Sequence, residues 1–368
     1  MTQICIVGGI LGTSGYDRHT RELANALSKY SNVRLVSAIP QNMLTQLTDK
    51  EVEMLKRKPS KDEINLVITH PLYWKHHLGD RNFVYLVWEG DKVPIWMIDE
   101  CLNPDIEYIF CPSTHTRDAI INTIPDWTIS NPHEIMPTEL LDKIKIISHG
   151  VDLNKFFPKE KSKNKFKFLM NKGWRNNEDR GGIQYGIKAY LEEFNPQDNV
   201  ELIVKINPAY GIPDINKLIS ELKPNKSTAP LKIIFNSLTI EQLNDLYNQC
   251  NVFLSPTRAE AFNMPCLEAM SCGLPVITTN FGGQSDYIDN TNGWIIGGEL
   301  KEVKHELEYE GISWLTPNIE ELKKTMRDSY NMWKDGSLNN KIEKCIEMSK
   351  DYTWDKTSER IKNLIEVG

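Results

Sequence analysis

The chain has no Asp-x-Asp pair, no Cys-x-x-Cys, no Gly-x-Gly-x-x-Gly fingerprint, no Gly-Lys-Ser/Thr P-loop and no Gly-x-Ser-x-Gly elbow. Each absence removes a chemistry. Without paired aspartates or spaced cysteines and histidines there is no signature of a metal centre, and the eight histidines lack zinc-ligand spacing. Without the glycine and lysine signatures, neither a dinucleotide fold nor a P-loop NTPase is indicated. Without the serine elbow, an α/β-hydrolase nucleophile is missing. No apolar run approaches the length needed to span a bilayer. Positive charge is also in deficit: the net charge of −7 argues against a general nucleic-acid binder. The seven cysteines are odd in number and scattered. Cys5, Cys111 and Cys250 sit in apolar segments and read as reduced core residues. The amino terminus runs straight into a strand, so it reads as having no secretory leader. A cytoplasmic protein is expected, with peripheral contact at the inner membrane face left open.

What is present is alternation. At 368 residues the chain exceeds one ordinary core. Strands are expected at Ile4–Val7, Val33–Ile39, Asn65–Thr69, Phe83–Trp88, Glu107–Cys111 and Ile144–Ile147, with a helix over Gly15–Tyr30. The lysine-rich stretch Phe157–Lys165 reads as a linker. Alternation then restarts, with strands at Phe166–Met170, Val200–Ile206, Leu231–Phe235, Asn251–Leu254 and Pro275–Thr278. Helices fit Gly182–Phe194, Thr239–Gln249 and Pro265–Cys272, and the chain is mostly helical from Asn318 onward. Strand–helix alternation implies parallel sheets covered on both faces. The expected fold class is α/β, with two Rossmann-like domains facing a cleft.

Three clusters carry chemistry. The first strand runs into Gly8-Gly9-Ile-Leu-Gly12-Thr-Ser14-Gly15, which fits either a ligand-cradling loop or a plain tight turn. After Phe166–Met170 come Arg175 and Arg180 on a loop opening a helix, and Lys205 ends the next strand. Guanidinium groups suit a diphosphate because their charge is permanent and their fork bidentate; three ordinary surface cations are the alternative. Glu260 and Glu268 frame a short helix with Pro265 in its first turn and Gly273 just past its end. Carboxylates accept from sugar hydroxyls, and a helix start attracts phosphate oxygens. Together these groups suit a nucleotide sugar. Trp74, Trp88 and Trp96 fit a stacking surface for a sugar or ordinary core.

The segment from Ser255-Pro256 through Glu260, Glu268 and Gly273 to Pro275-Val276 resembles the corresponding segment of glycosyltransferase family four. So do Arg175 with Arg180-Gly181, His149-Gly150-Val151-Asp152, and the loop from Gly9 to Arg21. Tyr352-Thr353-Trp354 resembles the start of that family's closing helix, and the match runs over nearly the whole chain. The resemblance implies the GT-B fold. Residues 1–157, completed by a C-terminal helix at about 352–368, would form the acceptor domain, and 158–351 the nucleotide-sugar donor domain. It implies a retaining hexosyltransferase acting without a metal or other cofactor on a GDP- or UDP-sugar, with a glycan or lipid-linked acceptor. By position, Arg175, Arg180 and Glu260 would be catalytic. Gly12, Ser14, Lys205, Phe262, Asn263, Met264 and Glu268 would bind the donor.

Departures from the family pattern are specific. Ala261 and Asn263 stand where glycines are usual, and Arg180 replaces a lysine. After the strand ending near Trp88, where many members carry a histidine, the chain reads Glu89-Gly90-Asp91, which resembles a subgroup with a glutamate in that place. Glu89 or Asp91 would then meet sugar or acceptor; capping a helix is the alternative role. Gly282-Gly283-Gln284 with Asp286 resembles a subgroup of the family, and that resemblance implies mannosyl or glucosyl transfer. A GT-B epimerase, a phosphorylase and a non-catalytic nucleotide-sugar sensor are the rival functions, and fold alone does not separate them.

Overall fold

The computed structural model describes residues 3–38, 45–133, 136, 138–161, 164–174, 179–208, 214–222, 227–304 and 307–367. The chain divides into two compact units. The first comprises Met1–Gly150, Glu308–Ile312 and Thr353–Gly368; the second comprises Val151–Leu307 and Ser313–Tyr352.

The first unit is built on six parallel strands: β1 (Gln3–Gly8), β2 (Asn32–Ser37), β3 (Ile64–Ile68), β4 (Arg81–Tyr85), β5 (Ile106–Cys111) and β6 (Ile144–Ile146). Their order is β2-β1-β3-β4-β5-β6. β2 lies on one side of β1 and β3 on the other. The chain therefore reverses its direction of sheet growth between β1 and β3, the kind of switch point where open α/β sheets bind ligands. The helix after β1 is Gly15–Leu27, begun by a reciprocal capping box. It ends three residues before the expected Tyr30, because Lys29 and Tyr30 turn tightly onto the carbonyls of Ala26 and Leu27. β4 stops at Tyr85 rather than Trp88. Beyond it, side chains take over the backbone acceptors: Tyr16 donates to the Val87 carbonyl and Thr116 to that of Trp88. β2 ends at Ser37, and Ile39 lies outside the described residues.

The second unit has six parallel strands: β7 (Phe166–Gly173), β8 (Val200–Asn207), β9 (Leu231–Ile234), β10 (Val252–Ser255), β11 (Val276–Thr279) and β12 (Gly293–Ile296). The order β12-β11-β10-β7-β8-β9 again places a switch point, here between β7 and β10. An antiparallel pair, β13 (Gly298–Glu302) and β14 (Ser313–Pro317), follows. The sequence pattern did not show β12 or this hairpin, since four-residue strands and an exposed β13 carry little periodicity. One face of the six-stranded sheet buries Phe166, Phe168, Met170, Leu202 and Val204 against the helices Ile183–Glu193 and Ile319–Asp335. The other buries Leu169, Ile203 and Phe253 against Ile240–Asn248 and Met264–Ser271.

The stretch Phe157–Lys165, read from sequence as a linker, begins inside the second unit. Val151 and Phe156 join its core. Asn244 and Asn248 then hold the chain down, accepting from the Phe157 and Lys159 amides at 3.3 and 2.6 Å. Asparagines on a helix thus do what the lysine-rich composition could not announce.

All seven cysteines are free and buried. Burial pushes the Cys101 thiol up to about 12, so it stays protonated and unreactive at neutral pH. No helix among the described residues is long and apolar enough to cross a membrane.

Candidate functional site

Parallel order places the loops after β7, β10 and β11 at one edge of the second sheet. Lys172, on β7, and Glu260, after β10, meet at the switch point. The Lys172 ammonium lies 3.0 Å from Glu260 Oε1 and 2.9 Å from Asn263 Oδ1, with only 3% of its side chain exposed. Arg180 approaches the second oxygen of Glu260 at 3.7 Å and donates to the Ala259 carbonyl at 3.1 Å. Burial alone would push the Glu260 carboxyl up. The charges of Lys172 and Arg180 outweigh it and hold the group below the usual range, so Glu260 is ionised at neutral pH.

Asn263 resolves the departure from the expected glycine. Its backbone is left-handed, φ 69° and ψ 57°, a conformation asparagine tolerates better than most residues. The side chain adds what glycine lacks: Oδ1 accepts from Lys172, and Nδ2 donates to Ser255 Oγ at 3.0 Å. The carbonyls of Phe262 and Asn263 both accept from the Tyr287 hydroxyl at 2.8 Å. The loop is therefore pinned from below, and Met264 starts the helix above it.

Glu268 sits one turn into that helix and is 2% exposed. Its Oε2 accepts from the Tyr247 hydroxyl at 2.9 Å, and that hydroxyl accepts from Asn171 Nδ2 at 3.2 Å. Lys205 is buried on β8, paired in register with Asn171.

The approach to Arg180 is shaped by two backbone features. Asp179 is left-handed at φ 40°, and its Oδ2 accepts from the Gln184 amide at 2.7 Å at the start of the helix Ile183–Glu193. Burial raises its carboxyl to about 6. Gly182 has φ 76°, and a Cβ there would run into the Pro256 carbonyl, so only glycine fits. Arg175 lies outside the described residues.

Within the first unit, Gly12 and Ser14 form the loop after β1. Asp17 organises it, accepting from the Gly12 amide at 2.9 Å and the Ser14 amide at 3.1 Å. Ser14 caps the helix and its hydroxyl bonds Asp17. Glu89 and Asp91 follow β4. Neither caps the helix Ile95–Cys101, whose N-cap is Pro94, with no side-chain cap bond. Glu89 Oε2 instead accepts from the Tyr309 hydroxyl at 3.1 Å. Trp74 and Trp88 are buried, so they are core rather than a stacking surface; Trp96 is half-buried beside the His70 ring.

Sequence reasoning thus assembled Arg180, Glu260, Asn263 and Glu268, but not Lys172 or Tyr247. Lys172 was hidden because a lysine ending a strand ordinarily points to solvent. Its signal was position, two residues past an apolar run and next to Gly173. Among the described residues no group of three or more histidines, cysteines or carboxylates has a metal-binding arrangement.

Residues 184–309 match the family model for glycosyl transferases, group 1. A probable sucrose-phosphate synthase of Thermosipho melanesiensis is 25% identical over 232 residues, which is 62% of this chain and 48% of that protein. The chain thus spans about half the length of that curated relative. In fold, the sucrose-phosphate synthase of Thermosynechococcus elongatus aligns over 100% of this chain and 98% of its own, at 14% identity and a TM-score of 0.65. Anabaena HepE, solved in complex with UDP-glucose, aligns over 100% of both chains at 13% identity and a TM-score of 0.62. Two Rossmann-like units of this kind are the GT-B fold.

Proposed function

We propose that the chain is a group 1 glycosyl transferase that moves a hexosyl group from a nucleotide diphosphate sugar to a hydroxyl of a glycan or lipid-linked acceptor. The transfer retains anomeric configuration and uses no metal. The observation that carries this reading is the array of Lys172, Arg180, Glu260 and Asn263 at the switch point of the second sheet, with Glu268 buried on the helix that starts there.

The array supplies charge of both signs in separate places. Arg180 offers a permanent cation to a departing diphosphate. Glu260, held ionised, accepts from hydroxyls of the transferred sugar. Glu268 accepts from ribose hydroxyls, with Tyr247 fixing its orientation. As the bond from the anomeric carbon to the phosphate oxygen breaks, negative charge grows on the phosphate. Fixed positive groups aimed there lower the barrier, each typically by ~3 kcal/mol. The acceptor oxygen then bonds to the same carbon from the face the phosphate leaves, and its proton passes to the departing diphosphate, which completes the transfer. Arg175, by its place in the sequence, is assigned to the same leaving group. Lys205, Phe262 and Met264 are assigned to the donor, as are Gly12 and Ser14 of the first unit; Glu89 and Asp91 are assigned to the sugar or acceptor.

UDP-glucose is the donor we favour, because HepE, alike in fold, was solved in complex with it. A cytoplasmic setting suits seven free, buried cysteines. The test is a thermal-shift panel of UDP, GDP and ADP with their common sugars, with and without EDTA. A ligand at a hundred times its dissociation constant stabilises by ~2.7 kcal/mol. Stabilisation by one nucleotide family, unchanged by EDTA, is expected. No shift with any of them would contradict the proposal.

A further inference from the structure

Within the first unit, the segment Glu308–Ile312 packs around the residues that follow β4. The ring of Tyr309 lies flat on that of Trp88, with centroids 4.7 Å apart and planes 18° from parallel. Trp88 is itself anchored: its indole nitrogen donates to the Lys92 carbonyl at 2.5 Å, and its carbonyl accepts from Thr116 at 2.9 Å. Gly90 lies beneath Ile312, where a Cβ would collide with the isoleucine side chain. The Glu89 carbonyl bonds His115 Nε2 at 2.8 Å. Glu308 pairs with His70 at the far side of the segment. The backbone on both sides of Glu89 is thereby immobilised, and the Tyr309 hydroxyl reaches the Glu89 carboxylate at 3.1 Å.

A half-buried glutamate has three side-chain torsions to lose. A phenol on a stacked, buried ring is a rigid donor that selects one of its orientations at little entropic cost. We propose that Tyr309 is a positioning residue for Glu89, aiming its carboxylate at the hydroxyl-bearing substrate. This rests on the assignment of Glu89 to sugar or acceptor. Nothing in the sequence around Glu89 points to a residue more than two hundred positions later, and Tyr309 comes from the connection between β13 and β14.

The test compares the parent chain with Tyr309→Phe, Tyr309→Ala, Glu89→Gln and the double variant Glu89→Gln/Tyr309→Phe. Phenylalanine keeps the stack on Trp88 and removes only the hydroxyl, so folding is preserved; the alanine variant reports what the stack adds. Turnover is read as UDP released from UDP-glucose, with octyl glucoside as the probe acceptor, and donor affinity by titration with UDP. Tyr309→Phe is expected to lower kcat about tenfold, the effect of one hydrogen bond to a charged group. UDP affinity should stay unchanged, and no further loss should appear in the Glu89→Gln background. Equal losses in both backgrounds would mark Tyr309 as mere scaffold and overturn the proposal. A slow Glu89→Gln variant beside a Tyr309→Phe variant at the parental rate would overturn the Tyr309 assignment alone. Parental turnover in Glu89→Gln would remove the Glu89 assignment, and the positioning role with it.

Discussion

Lys172 and Glu260 form a nearly buried ion pair, 3.0 Å from Nζ to Oε1, that joins the end of β7 to the loop after β10. The pair closes the switch point of the second sheet, and Asn263 caps it from the helix side. Such a pair is built for specificity more than for stability, since desolvation offsets much of its attraction. Its effect is to keep the Glu260 carboxylate charged.

Lys172→Met tests this. Removing one partner leaves the more distant Arg180 as the cation recorded beside Glu260 among the described residues, so the variant should lose about 2–4 kcal/mol in urea unfolding, near the cost of breaking a buried pair. Lys172→Arg keeps the charge but not the shape and should lose less. Transfer should fall in both.

Arg180→Ala removes a partly exposed group that donates to the Ala259 carbonyl and approaches Glu260. Its melting temperature should stay within a few degrees of the parent. Turnover should drop roughly a hundredfold if the guanidinium neutralises the leaving diphosphate. A parental rate with any accepted donor would exclude that role.

Tyr247→Phe separates orientation from charge at Glu268. The carboxylate stays, but the phenol that holds it is lost. UDP binding should weaken by about 1 kcal/mol, fivefold or so, as expected for one hydrogen bond. Titration calorimetry against the parent gives the number directly.

How much of this was legible beforehand depends on what each residue leaves in a sequence. The strands of both sheets announced themselves as apolar runs, because buried parallel strands are apolar on both faces. The helix ends were less clear: Gly15–Leu27 stops early for a backbone reason that no side chain signals. Glu260, Glu268 and Arg180 were visible because charged residues beside a strand end and a helix start stand out. Lys172 and Tyr247 were not, because their roles come from register between β7 and β10 and from packing of the helix Ile240–Asn248. Tyr309 depends on a contact at very long sequence separation, which a single sequence does not carry.

Acid should destabilise the first unit through a different group of residues. His19 is fully buried against His149, Tyr85 and Trp354, with ring centroids 4.1, 4.4 and 5.6 Å away. Burial, then the neighbouring His149, holds the His19 imidazole well below its ordinary value, and burial lowers His149 to about 3. Both stay neutral in the fold while the unfolded chain takes up protons below about 6.5. Stability from this pair is therefore complete above pH 6.5 and is lost as pH falls toward 3. Urea midpoints between pH 7.5 and 4.5 should decline less steeply in His19→Phe than in the parent. Parallel slopes would show that the pair does not control the decline.

The most direct test of the donor site is calorimetric titration of UDP-glucose, in EDTA, into the parent chain and into Glu268→Gln. Glutamine keeps the size and one acceptor but removes the charge beside Tyr247. The parent should bind, the variant should bind at least tenfold more weakly, and the two melting temperatures should be alike. Equal affinities in the two proteins, or a parent that binds no UDP-sugar, would contradict it.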